Sequence, residues 1–179
     1  MFFRSRNLFL RPLWPEDTDG LKAAMGAENF ERACSWMNAS DAQVAAAQIQ
    51  HPRLPRCLVT RPDRKGEHIV GVCALLARPD GVYLEIWISP RFRQKGFGRE
   101  VTRAMVEIAR AVGHRDLRAR VAADCIAATR ALLASGFKAI PDRGPTRSAR
   151  LRSAIAAEQK YAVALVCHGD GGDQPSFAA

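Results

Sequence analysis

The sequence predicts an α/β (α+β) fold in which one mixed, mostly antiparallel sheet of about seven strands is flanked by about four helices. Three observations carry this expectation. Several short segments alternate apolar and polar residues with the period of two that marks a half-buried strand. The stretch 99–112 instead repeats its apolar residues at helical spacing. From residue 82 onward the two periods follow one another as strand, helix, strand, helix, strand.

In chain order, Leu8 and Leu10 share one face of a first strand, which Pro12, Pro15, Glu16 and Asp17 interrupt before a helix begins near Thr18. A second helix starts at Ser40, where Ser40 and Gln43 form a capping box ahead of Val44 and an alanine run. Segments 56–60 and 68–77 read as strands joined by a turn over 61–67 that contains Pro62, Asp63 and Gly66, and with 83–88 they form an antiparallel meander. Val101, Ala104, Met105, Ile108, Ala109 and Val112 lie on one face of a helix that Gly113 ends. Leu117, Ala119 and Val121 alternate with Arg118 and Arg120 as a short strand, a helix over 126–135 stops at Gly136 before Phe137, and 160–167 supplies the last strand.

A chain of 179 residues with 47% hydrophobic content supports one domain, placed at 1–168, while 169–179 has the composition of a disordered tail. The longest apolar run, 69–77, is far short of the ~20 residues a membrane span needs. The N-terminus has no secretory pattern, so a cytoplasmic location without membrane attachment is expected. Five cysteines without C-x-x-C spacing and four unclustered histidines predict neither disulfides nor a metal site. The net charge of +9 fits either a solvated arginine-rich surface or attraction to a polyanion. Few aromatics are interleaved with the cations, which counts against a nucleic-acid-binding module. The oligomeric state is left as monomer or homodimer.

The most informative segment is 88–100, ISPRFRQKGFGRE. Strand-like residues from Val82 to Ile88 run into a basic, glycine-spaced turn that opens directly onto the periodic helix. Gly96 and Gly98 allow close backbone approach, and the first helical N–H groups lack intrahelical acceptors. The helix dipole, with Arg93, Lys95 and Arg99, favours an anion such as a pyrophosphate at this turn.

The spacing Arg93-x-x-Gly96-x-Gly98 resembles the acyl-CoA pyrophosphate loop of the GNAT superfamily of N-acetyltransferases, whose pattern is [RQ]-x-x-G-x-[GA] between a strand and a long helix. The opening Leu10-Arg11-Pro12, followed by Asp17, is similar to the subfamily of ribosomal-protein N-terminal acetyltransferases. The helix leading to Gly136 and Phe137 resembles the family's second diagnostic region with two departures: Cys125 stands where an Asn is usual, and Leu132 where a Tyr often stands.

The resemblance implies a GNAT-like fold and acetyl-CoA as co-substrate, held by Ile86, Trp87 and Ile88 on the strand and by Arg93, Gln94, Lys95, Gly96, Phe97, Gly98 and Arg99 on the turn. It implies direct transfer of an acetyl group to a primary amine, a small molecule or a protein N-terminus, with an acidic or RNA-associated acceptor among the partners. An enzymatically weak acetyl-CoA-binding protein is the alternative. Glu85, in an otherwise apolar run, is the expected general base, with Tyr83 and Asp124 behind it; the competing reading is a solvent-face carboxylate paired with an arginine. Cys125 is the second expected catalytic residue, where it or a water takes the place of the usual Tyr in protonating the leaving thiolate. The segment 141–152, with Arg143, Arg147, Arg150 and Arg152, is placed beside the acceptor site or is a loop without a role.

Overall fold

The computed structural model describes residues 2–14, 16–26, 30, 51–64, 66–140 and 158–165. The helix expected from Ser40, the arginine-rich segment 141–152, the tail 169–179, Cys34 and Cys167 lie outside them. Eight strands form one sheet: β1 (Phe3–Arg4), β2 (Phe9–Pro12), β3 (Arg56–Asp63), β4 (Gly66–Arg78), β5 (Gly81–Ile88), β6 (Asp116–Ala122), β7 (Lys138–Ala139) and β8 (Glu158–Ala164). Their spatial order is β1-β2-β3-β4-β5-β6-β8-β7. Every neighbouring pair is antiparallel except β5 and β6, which run parallel.

Three α-helices fall among the described residues: α1 (Asp17–Met25), α2 (Phe97–Ala111) and α3 (Ile126–Leu133). The strands exceed the expected seven by one, the two-residue β1, which carries no readable periodicity. The expected turn at 61–67 is also shorter than anticipated. Pro62 and Asp63 remain in β3, opposite Glu67 and Gly66.

Alternation along the strands sorts side chains onto two faces. On one face Leu84 of β5 and Leu117 and Ala119 of β6 join Val101, Ala104, Met105, Ile108 and Ala109 of α2 in the main core, with Val82, Ile86 and Ile88 packed against it. On the other, Leu21 and Met25 of α1 pack with Leu13, Phe30, Leu58 and Val72, and Trp87 leans on this smaller cluster. The sheet therefore has α2 on one side of β5 and α1 on the other.

A buried ion pair fixes α1. Arg11 of β2 donates Nη1 to Asp17 Oδ2 and Nη2 to Asp17 Oδ1, both at 2.7 Å, and reaches Glu67 of β4 at 3.2–3.3 Å. Trp14 N also donates to Asp17 Oδ2 at 2.8 Å, and the Arg11 guanidinium lies 4.5 Å from the Trp14 ring. Burial pushes the Asp17 carboxyl up, but the hydrogen bonds from Arg11 and Trp14 outweigh it and hold the group below the ordinary carboxylate range. The arginine and aspartate that carried the N-terminal resemblance thus clamp the first helix to the sheet.

Candidate active site

Parallel pairing between β5 and β6 lasts for two residues only, Tyr83 with Arg118 and Leu84 with Ala119. Past Leu84 the strands separate, while β5 stays paired with β4 through Ile88 opposite Gly71. Ser89 N donates to Val70 O at 2.8 Å, so the antiparallel alternation turns the peptide groups of Trp87 and Glu85 toward β4 and those of Ile86 and Ile88 into the cleft. Arg93 Nε donates to Ile88 O at 3.0 Å, as that direction requires. The cleft wall is therefore the unpaired edge of β5.

The separation has a local cause on β4. The β3–β4 register shifts between Val59 and Thr60, since Val59 faces Gly71 while Thr60 faces Ile69, and Val70 is the extra residue. Such a bulge bends its strand. Beside it, a Cβ on Gly71 would sit 2.1 Å from Trp87 O, so glycine is what lets β4 and β5 stay joined there.

At the end of β5 a 3₁₀ turn (Pro90–Phe92) leads to the glycine turn. Gln94 (φ 60°) and Gly96 (φ 82°) both adopt left-handed backbone, which reverses the chain into α2. Gly96 caps that helix without any side-chain hydrogen bond, and the first intrahelical bond is Glu100 N to Gly96 O at 3.1 Å. The N–H groups of Phe97, Gly98 and Arg99 consequently have no acceptor within the helix. A Cβ built on Gly96 or Gly98 meets nothing within 4 Å, so both glycines border open space. Arg93, Lys95 and Arg99 are exposed around it. The turn therefore offers an anion unpaired backbone donors with cations around them.

Two contacts that the sequence did not signal support this turn. Glu100 accepts hydrogen bonds from Ser5 Oγ at 2.6 Å and from Asn7 N at 2.7 Å, which ties the first turn of α2 to the β1–β2 hairpin. Burial raises the Glu100 carboxyl, and the Ser5 and Asn7 donors more than compensate, holding it below the ordinary range. Arg61 lies 5.8 Å from the Phe97 ring, adding a cation from β3.

Of the strand residues expected to hold the cofactor, Ile86 and Ile88 present their peptide groups to the cleft. Trp87 does not: its side chain joins the α1 cluster and its backbone pairs with Val72. Glu85 stands at the mouth of the cleft on the α1 face, but it is ion-paired with Arg78 at 2.5 Å and about one-third exposed. That environment is the arginine-paired carboxylate of the competing reading, because Arg78 lies three residues before the hairpin partner Gly81, within reach along the same face. Tyr83 is buried and donates to Asp80 Oδ2 at 2.6 Å. Asp124 is exposed in the turn after β6.

Cys125 is exposed at the N-cap of α3, whereas Leu132 is buried in the main core. Cys57 and Cys73, by contrast, are buried free thiols opposite one another on β3 and β4.

A parallel pair that separates beyond two residues thus stands next to a glycine turn at the start of a long helix. The chain belongs to the GNAT acetyltransferase family: the profile of the acetyltransferase (GNAT) domain matches residues 7–138. Its fold is similar to the spermidine N-acetyltransferase of Vibrio cholerae solved with CoA and spermine, at 14% identity and TM-score 0.66 over 90% of this chain and 97% of that one. It is similar also to an acetyltransferase from Agrobacterium tumefaciens str. C58 (14% identity, TM-score 0.66, 90% and 93% covered) and to a GNAT-family acetyltransferase from Bacillus anthracis (12% identity, TM-score 0.65, 92% and 98% covered). No curated protein matches the sequence. No described helix is long and apolar enough to cross a membrane.

Proposed function

We propose that this chain transfers an acetyl group from acetyl-CoA to a primary amine by direct attack within a ternary complex, its catalytic unit spanning residues 1–168. The observation that carries the reading is the open glycine turn set at the end of a cleft whose wall offers unpaired backbone groups. Phe97, Gly98 and Arg99 would hold the pyrophosphate through their N–H groups, with Arg93, Gln94, Lys95 and Gly96 shaping the turn. The cleft-facing N–H groups of Ile86 and Ile88 would bind the carbonyl-bearing arm and polarise the thioester oxygen as it gains charge.

An amine attacks only when neutral, and its pKa is roughly 8 at a chain N-terminus and about 10.4 on lysine. Glu85 is the proposed proton acceptor, directly or through a water, once Arg78 yields or shares it. Glu85→Gln keeps the shape and removes the acceptor, so turnover is expected to fall ~10²-fold with little change in acetyl-CoA binding. Unchanged kcat and pH profile in that variant would leave Glu85 a structural partner of Arg78.

The leaving thiolate has an intrinsic pKa of about 8.5, so it departs without strong acid help and the missing Tyr at Leu132 is tolerated. Cys125 lies near the end of β6, and no described histidine contacts it. Intact-mass measurement after mixing with acetyl-CoA alone tests direct transfer. A stoichiometric acetyl adduct, absent in Cys125→Ser and chased by amine, would replace it with a covalent route.

The pyrophosphate assignment has its own test. Valine at Gly96 pays about 1–2 kcal/mol for left-handed backbone, and its side chain fills the open space the phosphates would use. Titration calorimetry is expected to show CoA affinity reduced about tenfold or more in a folded Gly96→Val protein. Wild-type affinity would place the pyrophosphate elsewhere.

A further inference from the structure

The cleft can be reached from two faces, and one of them is taken by α2 and its pyrophosphate turn. The opposite face, on the α1 side, presents Tyr83 and Glu85 of β5 beside Arg118 and Arg120 of β6, because Tyr83 and Arg118 are partners in register and alternation brings the next pair to the same side. The carboxylates here are already engaged. Glu85 is paired with Arg78, Asp80 accepts from Tyr83 Oη at 2.6 Å and from Arg118 Nη1 at 3.3 Å, and Asp116, at the far end of β6, lies 3.9 Å from Arg118. The Tyr83 hydroxyl first, with Arg118 and Arg120 adding to it, holds the Asp80 carboxyl below its ordinary range.

Arg120 differs from the other two arginines. It is exposed at the point where β5 and β6 part, its guanidinium carbon lies over Tyr83 at 4.9 Å from the ring centre, and it has no ion pair among the described residues. Arg78 covers Tyr83 as well, 5.2 Å from the ring centre. A guanidinium held over a ring by a cation–π contact keeps its N–H donors free for a bidentate anion. Lys160 of β8 stands in register beside Arg120.

Resting on the acetyltransferase reading above, we infer that the acceptor is an amine carrying a carboxylate, an amino-acid-like substrate, whose anionic end binds Arg120 while its amine lies toward Glu85. A polyamine has no anionic group for Arg120.

The test compares three primary amines of equal length with the wild-type protein, following CoA release: 4-aminobutyrate, butylamine and 1,4-diaminobutane. The expected result is a kcat/KM for 4-aminobutyrate at least about tenfold above the other two, the size of one charge-assisted hydrogen-bonded pair. In Arg120→Gln this preference should vanish through KM of the carboxylate substrate, with KM for acetyl-CoA and kcat for butylamine unchanged; Arg120→Lys should restore part of it. Equal turnover of the three, a preference for the diamine, or an Arg120→Gln defect in acetyl-CoA KM would overturn this inference and leave the acetyltransferase reading standing. Turnover of none, while acetyl-CoA still raises the melting temperature, would overturn the catalytic reading and this one with it.

Discussion

Gly71→Ala is expected to cost the protein at least about 3 kcal/mol and most of its acetyl-CoA binding. A Cβ at this position would lie 2.1 Å from the Trp87 carbonyl oxygen and 3.2 Å from Ile88 Cα, and both are backbone atoms that no rotamer change can move aside. Relief requires β5 to shift away from β4. That strand forms the cleft wall, so stability and cofactor affinity should fall together, where most core substitutions would lower stability alone. Chemical denaturation paired with acetyl-CoA titration checks this; a variant with the wild-type midpoint would mean that the two strands are not held as tightly as the bulge implies.

Arg11→Met is expected to destabilise by about 3–5 kcal/mol, because it leaves Asp17 buried without its cation. The pH dependence gives a second readout. In the wild type the Asp17 carboxyl is held below its ordinary range, so its contribution is present above the unfolded pKa of about 3.9 and is lost as pH falls through the folded value. Without Arg11 the burial that opposes ionisation prevails, the folded pKa rises above the unfolded one, and the deficit should shrink as pH drops toward 4. Denaturant midpoints between pH 4 and 7 measure both slopes. Parallel slopes would mean that Arg11 contributes packing against Trp14 rather than charge.

How much of this was legible in sequence depended on whether a feature is local. The helical period of α2 and the glycine turn ahead of it are written in adjacent residues, and the structure places α2 at Phe97–Ala111 with its turn in left-handed backbone. The meander was readable for the same reason. The two-residue strand β1 was not, since it exists only because a longer strand offers it an edge. Trp87 was grouped with Ile86 and Ile88 because sequence proximity hides alternation, and its peptide group turns out to face β4. Glu85 looked like a lone acid in an apolar run until the hairpin brought Arg78 back beside it. The Arg11–Asp17 clamp was visible as a motif, but its role emerged only from the bidentate contact.

The two-residue junction between β5 and β6 has a further consequence. An open sheet ordinarily has two edges, one at each end, and this one has four, because the divergence past Leu84 and Ala119 creates a pair of internal ones. Free edges are normally a hazard, since they template pairing with other chains. Here they face each other within one sheet, with α2 packed on one side, rather than standing at its outer margin. What can enter is a thin extended chain with its own amide groups, which completes the ladder as an added strand would. A chain bound in that way would be recognised backbone to backbone, with little dependence on most side-chain identities.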